Sequence, residues 1–80
     1  MALYFFDFKA NGSVSLDEDG SVLPDIDAAH DEALSALVEF AMDRVSEAET
    51  EQRFSIHVRD AIGPVLEVSA VFDSKIFRKQ

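Results

Sequence analysis

The stretch Arg53-Phe54-Ser55-Ile56-His57-Val58-Arg59 decides the fold, because its apolar and polar residues alternate without a break. Strict alternation is typical of a β-strand that has one buried and one open face. Three side chains are predicted to face the core, namely Phe54, Ile56 and Val58. Three others are predicted to face outward, namely Ser55, His57 and Arg59.

A turn at 60–64, containing Gly63-Pro64, follows this strand. Residues 65–72 alternate again and are the predicted return strand of a hairpin. Four of its side chains are expected on the core face, namely Leu66, Val68, Ala70 and Phe72.

An aromatic strand is predicted at 3–8, ending before the turn residues Asn11-Gly12. Large apolar side chains fall on both of its faces, which favours a central place in a sheet. Residues 13–16 form a short second strand across that turn. An acidic, solvated turn at 17–20 follows, and 21–23 is a further extended piece.

A long helix is predicted from Ile26 to about Ala48, with Asp25 as its N-cap. Apolar residues recur at spacings of three and four along it. The expected buried stripe is Ile26, Ala29, Ala33, Leu34, Leu37, Phe40, Ala41 and Val45.

The element order predicts an α+β fold of the type β-β-α-β-β, a four-stranded antiparallel sheet with one long helix packed on one face. The expected sheet order is second, first, third, fourth, which keeps the aromatic strand inside. We expect one domain at 1–72 and a short basic C-terminal tail at 73–80. Three of the seven basic residues lie in that tail, namely Lys75, Arg78 and Lys79.

The charge excludes several classes of partner. Sixteen acidic and seven basic residues give a net charge of −9, which repels phosphate backbones and anionic lipid surfaces. No nucleic acid or membrane partner is therefore expected, whereas a basic protein partner fits. The chain has no cysteine, no apolar run long enough for a membrane span and no signal peptide pattern, so we expect a cytoplasmic protein.

Metal, cofactor and catalytic sites are not predicted. Counted from Asp17, a calcium loop would need glycine and glutamate where Val22 and Ala28 stand. His30 and His57 lack the companions of a zinc site. Ser55, His57 and Glu67 share one sheet face, but a two-residue spacing of about 7 Å argues against a direct Ser–His hydrogen bond. We therefore expect no enzyme.

Four short motifs span most of the chain. They are Tyr4-Phe5-Phe6-Asp7, the turn 17–20, Leu23-Pro24-Asp25 with Ala28-Ala29, and Val58-Arg59-Asp60 through Gly63-Pro64-Val65-Leu66. On these motifs the chain resembles an uncharacterised family of short proteins of rhizobia and related alphaproteobacteria. Leu3 replaces an expected basic residue, and the basic tail lies outside the pattern. The resemblance implies a bacterial cytosolic protein and transfers no catalytic residue.

A second, weaker resemblance is to HicB-type antitoxins, which have a small sheet, an acidic Asp-Gly turn and a Pro-led helix rich in Glu and Ala. By the sequence pattern this chain is one strand short before the helix, and no DNA-binding segment follows. This resemblance is an analogy of fold.

Three functions stay open. The first is a self-associating interaction module, a homodimer or other homo-oligomer, because a small core gains from a partner subunit. Its candidate interface is Leu3, Phe5, His57, Arg59 and Val71. The second is a regulatory adaptor or antitoxin-like protein that holds a basic partner on Glu32, Glu39 and Asp43. The third is a small-ligand binder or enzyme at His57, Arg59 and Glu67.

Overall fold

The computed structural model of the protein describes residues 1–46 and 50–78. It confirms the α+β class, with one helix packed on an antiparallel sheet. The elements are β1 (Ala2–Ala10), β2 (Ser13–Ser15), β3 (Ser21–Leu23), α1 (Ile26–Arg44), β4 (Glu51–Arg59) and β5 (Pro64–Asp73). The extended piece at 21–23 is thus a fifth strand, and the order is β-β-β-α-β-β.

The sheet has the order β2-β1-β4-β5, and the expected inner position of the aromatic strand is confirmed. Strand β3 also pairs with β1, at Ala2–Tyr4, while β2 pairs with it at Phe8–Ala10. One side of β1 is therefore covered by two short strands with a gap between them. Its other side pairs with β4 from Phe5 to Ala10.

The core lies between α1 and one face of the sheet. Phe54, Ile56 and Val58 are the largest fully buried side chains, as their alternation predicts. Edge-to-face contacts join Phe8 to Phe40, Phe40 to Phe54 and Phe54 to Phe72, with ring centroids 4.8 to 5.9 Å apart. Such pairs add to the free energy of burial, so the aromatic row ties β1, α1, β4 and β5 together.

Helix α1 begins as predicted, since the Asp25 carboxylate accepts a 2.8 Å hydrogen bond from the N–H of Ala28. It ends at Arg44, earlier than expected, and Val45 is its extended C-cap. The cause is Gln52, whose buried amide exchanges two 2.8 Å hydrogen bonds with the backbone of Ser46. This pairing ties the chain beyond the helix to β4. The predicted end at Ala48 lies outside the described residues.

The buried stripe of α1 is narrower than the sequence pattern indicates. Ala29, Ala33, Leu37 and Ala41 are buried, and small alanines let the helix approach the sheet closely. The prediction was wrong for three residues, since Ile26, Leu34 and Val45 are exposed, and Phe40 is half-buried. Further apolar residues, Val38 and Met42, lie beside Phe72 of β5.

Candidate functional site

The open face of the sheet carries a polar cluster centred on Arg59. Its Nε donates a 2.8 Å hydrogen bond to Oδ2 of Asp7, and its Nη2 donates to the carbonyl oxygen of Asp17 at 2.9 Å. The guanidinium also lies 4.5 Å from the centre of the Phe5 ring. The cluster joins β1, β4 and the 17–20 turn across the sheet face.

Asp17 is structural, contrary to the expectation of a solvated turn. Its carboxylate accepts hydrogen bonds from the N–H groups of Phe6, Asp19 and Gly20, each at 3.1 Å. Its own N–H donates to Oδ1 of Asp7 at 3.0 Å. Phe6 lies between the parts of β1 that pair with β3 and β2, so the Asp17 side chain replaces a missing strand there.

Both carboxylates are held in the charged form. Burial acts to raise the pKa of Asp7, but the hydrogen bond from Arg59, the N–H of Asp17 and the charge of Arg59 outweigh it, and the pKa is lowered. The N–H of Gly20 contributes most to lowering the pKa of Asp17; burial opposes this, and the N–H groups of Phe6 and Asp19 add to the lowering. Hydrogen bonds to the charged form favour ionisation, so both groups are acceptors at neutral pH.

Gly20 closes the turn against the sheet. Its φ of +73° is one that residues with a side chain rarely adopt. A Cβ there would lie 2.9 Å from Cδ1 of Leu3 and 3.0 Å from Cε1 of Phe5. The turn therefore packs directly on two residues of the predicted interface, and Phe5 is further covered by Arg59.

Ser55 and His57 do make direct contact, so the spacing argument against it was wrong. Ser55 Oγ lies 3.3 Å from His57 Nε2, and His57 Nδ1 lies 3.3 Å from Glu67 Oε1. The 7 Å spacing holds for the backbone, but side chains lean along a strand and can converge. With Nδ1 protonated, the ring donates to Glu67 and accepts from the Ser55 hydroxyl.

Ser55, His57 and Glu67 are connected in the order in which a catalytic triad connects its nucleophile, base and orienting group. Ser55, however, is only 7% exposed. Strand β4 pairs on both sides, so its backbone N–H groups belong to the sheet. An acyl-transfer site needs free N–H groups aimed at a developing oxyanion. The geometry supports a polar clasp between β4 and β5 better than a reactive centre.

A groove of about 630 Å³ lies on this face. Its polar lining includes His57, Arg59 and Glu67, the three residues predicted to share a face, together with Lys9. Val14 and Leu16 form part of an apolar wall. Within residues 1–46 and 50–78, no group of three or more His, Asp or Glu is placed to hold a metal ion.

The five residues of the predicted interface do not form one patch. Phe5 pairs with Arg59, and Leu3 lies beside them at Gly20. Val71 instead pairs with Arg53, six residues from Arg59 along β4, which is about 20 Å. His57 lies between these ends. Val71 belongs to a different surface, the free edge of β5.

The predicted sheet order already places β5 at an edge. The sequence analysis did not identify that edge as a candidate interface. In the described part of the chain, no strand pairs with the outer side of β5, which is ten residues long. Beside it, Val38, Met42, Val45 and Phe72 are exposed and line an entirely apolar groove of about 190 Å³. We call these four residues the apolar flank. The i, i+4 spacing of Val38 and Met42 was the available signal.

The predicted acidic face lies on the other side of α1. Glu32, Glu39 and Asp43 are exposed. Glu32 borders Leu16 and Ser21, and the other two border Ser15, so the face overlooks the side of the sheet formed by β2 and β3. Their spacing of seven and four residues aligns them along one line of the helix.

Comparison with known proteins finds a match to a family of unknown function. No curated protein and no solved structure matches the chain. No helix among the described residues is long and apolar enough to cross a membrane. A family model described as "Domain of unknown function (DUF6894)" matches residues 3–71, and this chain is therefore a member of that family.

Proposed function

We propose that this protein is a self-associating interaction module and that it dimerises through the free edge of β5. The proposal rests on β5, a ten-residue strand whose outer side pairs with no strand among residues 1–46 and 50–78 and lies next to the apolar flank. An open edge with exposed apolar neighbours is a template for adding another strand. Of the residues in the interface predicted from the sequence, the proposed interface keeps Val71 and leaves out Leu3 and Phe5.

The direction of the backbone groups on β5 supports the edge. Ser74 donates a 2.8 Å hydrogen bond to the carbonyl oxygen of Thr50, so the even-numbered residues turn their backbone groups toward β4. In an antiparallel ladder the direction alternates along the strand. The N–H and C=O groups of Glu67, Ser69, Val71 and Asp73 therefore point away from the sheet. They are available to a second strand.

The apolar flank supports a second copy as the occupant. A sheet continued across β5 brings the α1 helices of both copies to the same face. The flank of each copy then lies next to the junction, where Met42, 72% exposed, loses contact with water. A two-fold interface uses the same patch twice, as a self-complementary edge requires.

The test is the solution mass of the full chain across a dilution series, by sedimentation equilibrium. We expect a monomer–dimer equilibrium, and Val71→Lys is expected to raise the dimer Kd at least tenfold, since a lysine on an edge opposes strand pairing. The matched control is Val22→Lys. Val22 is similarly exposed, at 59% against 51%, but lies on β3. A monomer at every concentration would refute the proposal, as would equal effects of the two variants.

A second candidate function is an adaptor or antitoxin-like protein that holds a basic partner. Two observations favour it: Glu32, Glu39 and Asp43 are exposed in one line of α1, and β3 supplies the third strand before the helix that the antitoxin resemblance lacked. Reversal of these three charges should abolish capture of a basic partner from the native host, and capture by the unchanged protein should fall with salt. Capture that survives the reversal rejects this candidate.

Both candidates are binding functions in the bacterial cytoplasm, as the resemblance to rhizobial proteins implies, and neither assigns a catalytic role. The net charge of −9 supports a protein partner over nucleic acid or an anionic membrane. The groove beside His57 offers the remaining alternative, a small ligand. If it binds one, His57→Ala should reduce ligand-dependent thermal stabilisation.

A further inference from the structure

We infer that the C-terminal segment 74–78 is the outer part of the dimer strand, and that two copies pair antiparallel with Val71 on the two-fold axis. The inference rests on the proposed β5 dimer and adds its register and its partner segment. In the monomer this segment has no regular structure, and Ile76 and Phe77 are 67% and 93% exposed. Two apolar residues that leave the fold in this way call for a covering surface.

Symmetry limits the possible registers. An antiparallel edge-to-edge dimer has its axis perpendicular to the sheet, so facing residues belong to the same face. The register must then be centred on a residue of β5. Centres near the middle of the exposed edge are Ser69, Ala70, Val71 and Phe72.

Charge and apolar matching select among these centres. With the axis at Ala70, Glu67 faces Asp73 of the second copy, and like charges directly opposite are destabilising. With the axis at Ser69, Ile76 and Phe77 extend past Pro64, where the other β5 begins, and no strand covers them. With the axis at Phe72, Glu67 faces Phe77 and Val71 faces Asp73.

The centre at Val71 gives compatible partners to Glu67 and to the large apolar residues at both ends of the strand. Glu67 faces Lys75 of the second copy, an opposite-charge pair that occurs twice by symmetry. Leu66 faces Ile76 on the helix side, and Val65 faces Phe77 on the open side. Val71 faces itself. Cross-strand pairs of opposite charge and of apolar side chains are those that stabilise antiparallel strands.

The outward backbone groups fit the same register. Glu67, Ser69, Val71 and Asp73 are the residues whose N–H and C=O groups point to the free edge, and with this centre they face Lys75, Asp73, Val71 and Ser69. Each facing pair can therefore exchange two hydrogen bonds. The segment 74–78 extends the ladder on both sides of the axis.

Disulfide trapping tests the register, because the chain has no cysteine of its own. Facing residues of a hydrogen-bonded pair have Cα atoms about 5.5 Å apart, which a disulfide can span. Mild oxidation of the full-length Val71→Cys variant should give a covalent dimer. Ser69→Cys and Asp73→Cys should each form no intermolecular disulfide alone and should form a mixed disulfide with each other.

A charge exchange tests the added segment. Lys75→Glu should raise the dimer Kd roughly tenfold, since two attractive pairs become repulsive. The double variant Glu67→Lys, Lys75→Glu should recover most of the affinity lost in Lys75→Glu, and Glu67→Lys alone measures the loss of the contact between Glu67 and His57. Recovery would not occur if Lys75 did not face Glu67.

The outcomes separate the two proposals. A dimer by sedimentation in which Ser69→Cys alone forms the disulfide would overturn the Val71 register and leave the β5 dimer standing. A dimer Kd that is unchanged in Lys75→Glu would overturn the role of residues 74–78. A chain that is monomeric at all concentrations would overturn the register and the proposed function together.

Discussion

The two edges of the sheet are built in opposite ways. On the side of β2 and β3, two three-residue strands cover β1, and the gap between them is filled by the carboxylate of Asp17. On the side of β5, ten residues present their outer backbone groups without a cover in the described part of the chain. Acidic residues of α1 overlook the first side, and the apolar flank borders the second.

This difference between the two sides of the sheet bears on which edge the proposed dimer can use. Short edge strands and nearby charge are usual devices against edge pairing. Both occur on the side of β2 and β3. A chain that blocks one edge with side-chain hydrogen bonds and leaves the other long and apolar would add a second copy in one direction only, so the assembly that we propose is a closed dimer.

The largest loss of stability is expected at Gly20, where the 17–20 turn packs on the side of the sheet formed by β2 and β3. Gly20→Ala should lower the free energy of unfolding by about 3 kcal/mol, because a left-handed φ and overpacking against Leu3 and Phe5 add. Gly12→Ala is the matched control, since Gly12 also has a positive φ, of +93°, but nothing lies within 4 Å of its added Cβ. It should lose only about 1 kcal/mol. Equal losses in urea unfolding would show that the turn does not pack on the sheet.

The next effect is expected at Asp17. Asp17→Ala leaves the N–H of Phe6 without its acceptor and should destabilise the fold by about 2 kcal/mol. The neighbouring Asp19→Ala removes an exposed carboxylate and should change stability by less than about 0.5 kcal/mol. Chemical denaturation of both variants gives the comparison. A similar loss at Asp19 would mean that charge, and not the hydrogen bonds, holds this edge.

Acid should destabilise the fold through Asp7 and Asp17, which lie on the side of the sheet formed by β2 and β3. The pKa values of Asp7 and Asp17 are lowered in the fold, so their contribution is present above the ordinary carboxyl pKa of about 4 and is lost as pH falls through the folded values. Stability measured by thermal melting should therefore decrease below about pH 4. Asp17→Asn should have a smaller decrease over that window. An identical acid dependence in this variant would remove Asp17 as a contributor.

The smallest effect on the fold itself is expected at the open edge. At concentrations below the dimer Kd, Val71→Lys should alter the unfolding free energy of the monomer by no more than about 0.5 kcal/mol, because the Val71 side chain is half exposed. The same variant is expected to weaken the proposed dimer strongly. Urea unfolding at low protein concentration measures the first quantity. A large loss there would mean that Val71 supports the monomer.

Local patterns predicted the parts of the fold that depend on local physics. The alternation around Ile56 fixed β4 and its faces, and Asp25 fixed the start of α1. The end of α1 depends on Gln52, which reaches back to Ser46 from another element, so helix periodicity could not reveal it. The edge position of β5 follows from the predicted sheet order, but the exposed apolar flank beside it depends on how α1 lies on the sheet and required the structure.

The residues of the candidate site also divide into those that local patterns predicted and those that depend on contacts between elements. His57, Arg59 and Glu67 were placed on one face by alternation, and they line one groove. The contact of Ser55 with His57 depends on side-chain lean, which a backbone spacing omits. The role of Asp17 required knowing that β2 and β3 leave a gap at Phe6. Acidic turns look alike in sequence whether or not they fill such a gap.

The pairing of β1 with β4 has a consequence for synthesis. Strand β1 is translated first, yet Phe6 faces Val58, about 50 residues later. At roughly 5–20 residues per second, the aromatic strand waits about 3–10 s for its central partner. Until then only local contacts can cover it, the short pairings with β2 and β3 and the packing of Phe40 of α1 on Phe8. During that interval the Phe side chains of β1 lack the contacts that β4 provides in the complete fold.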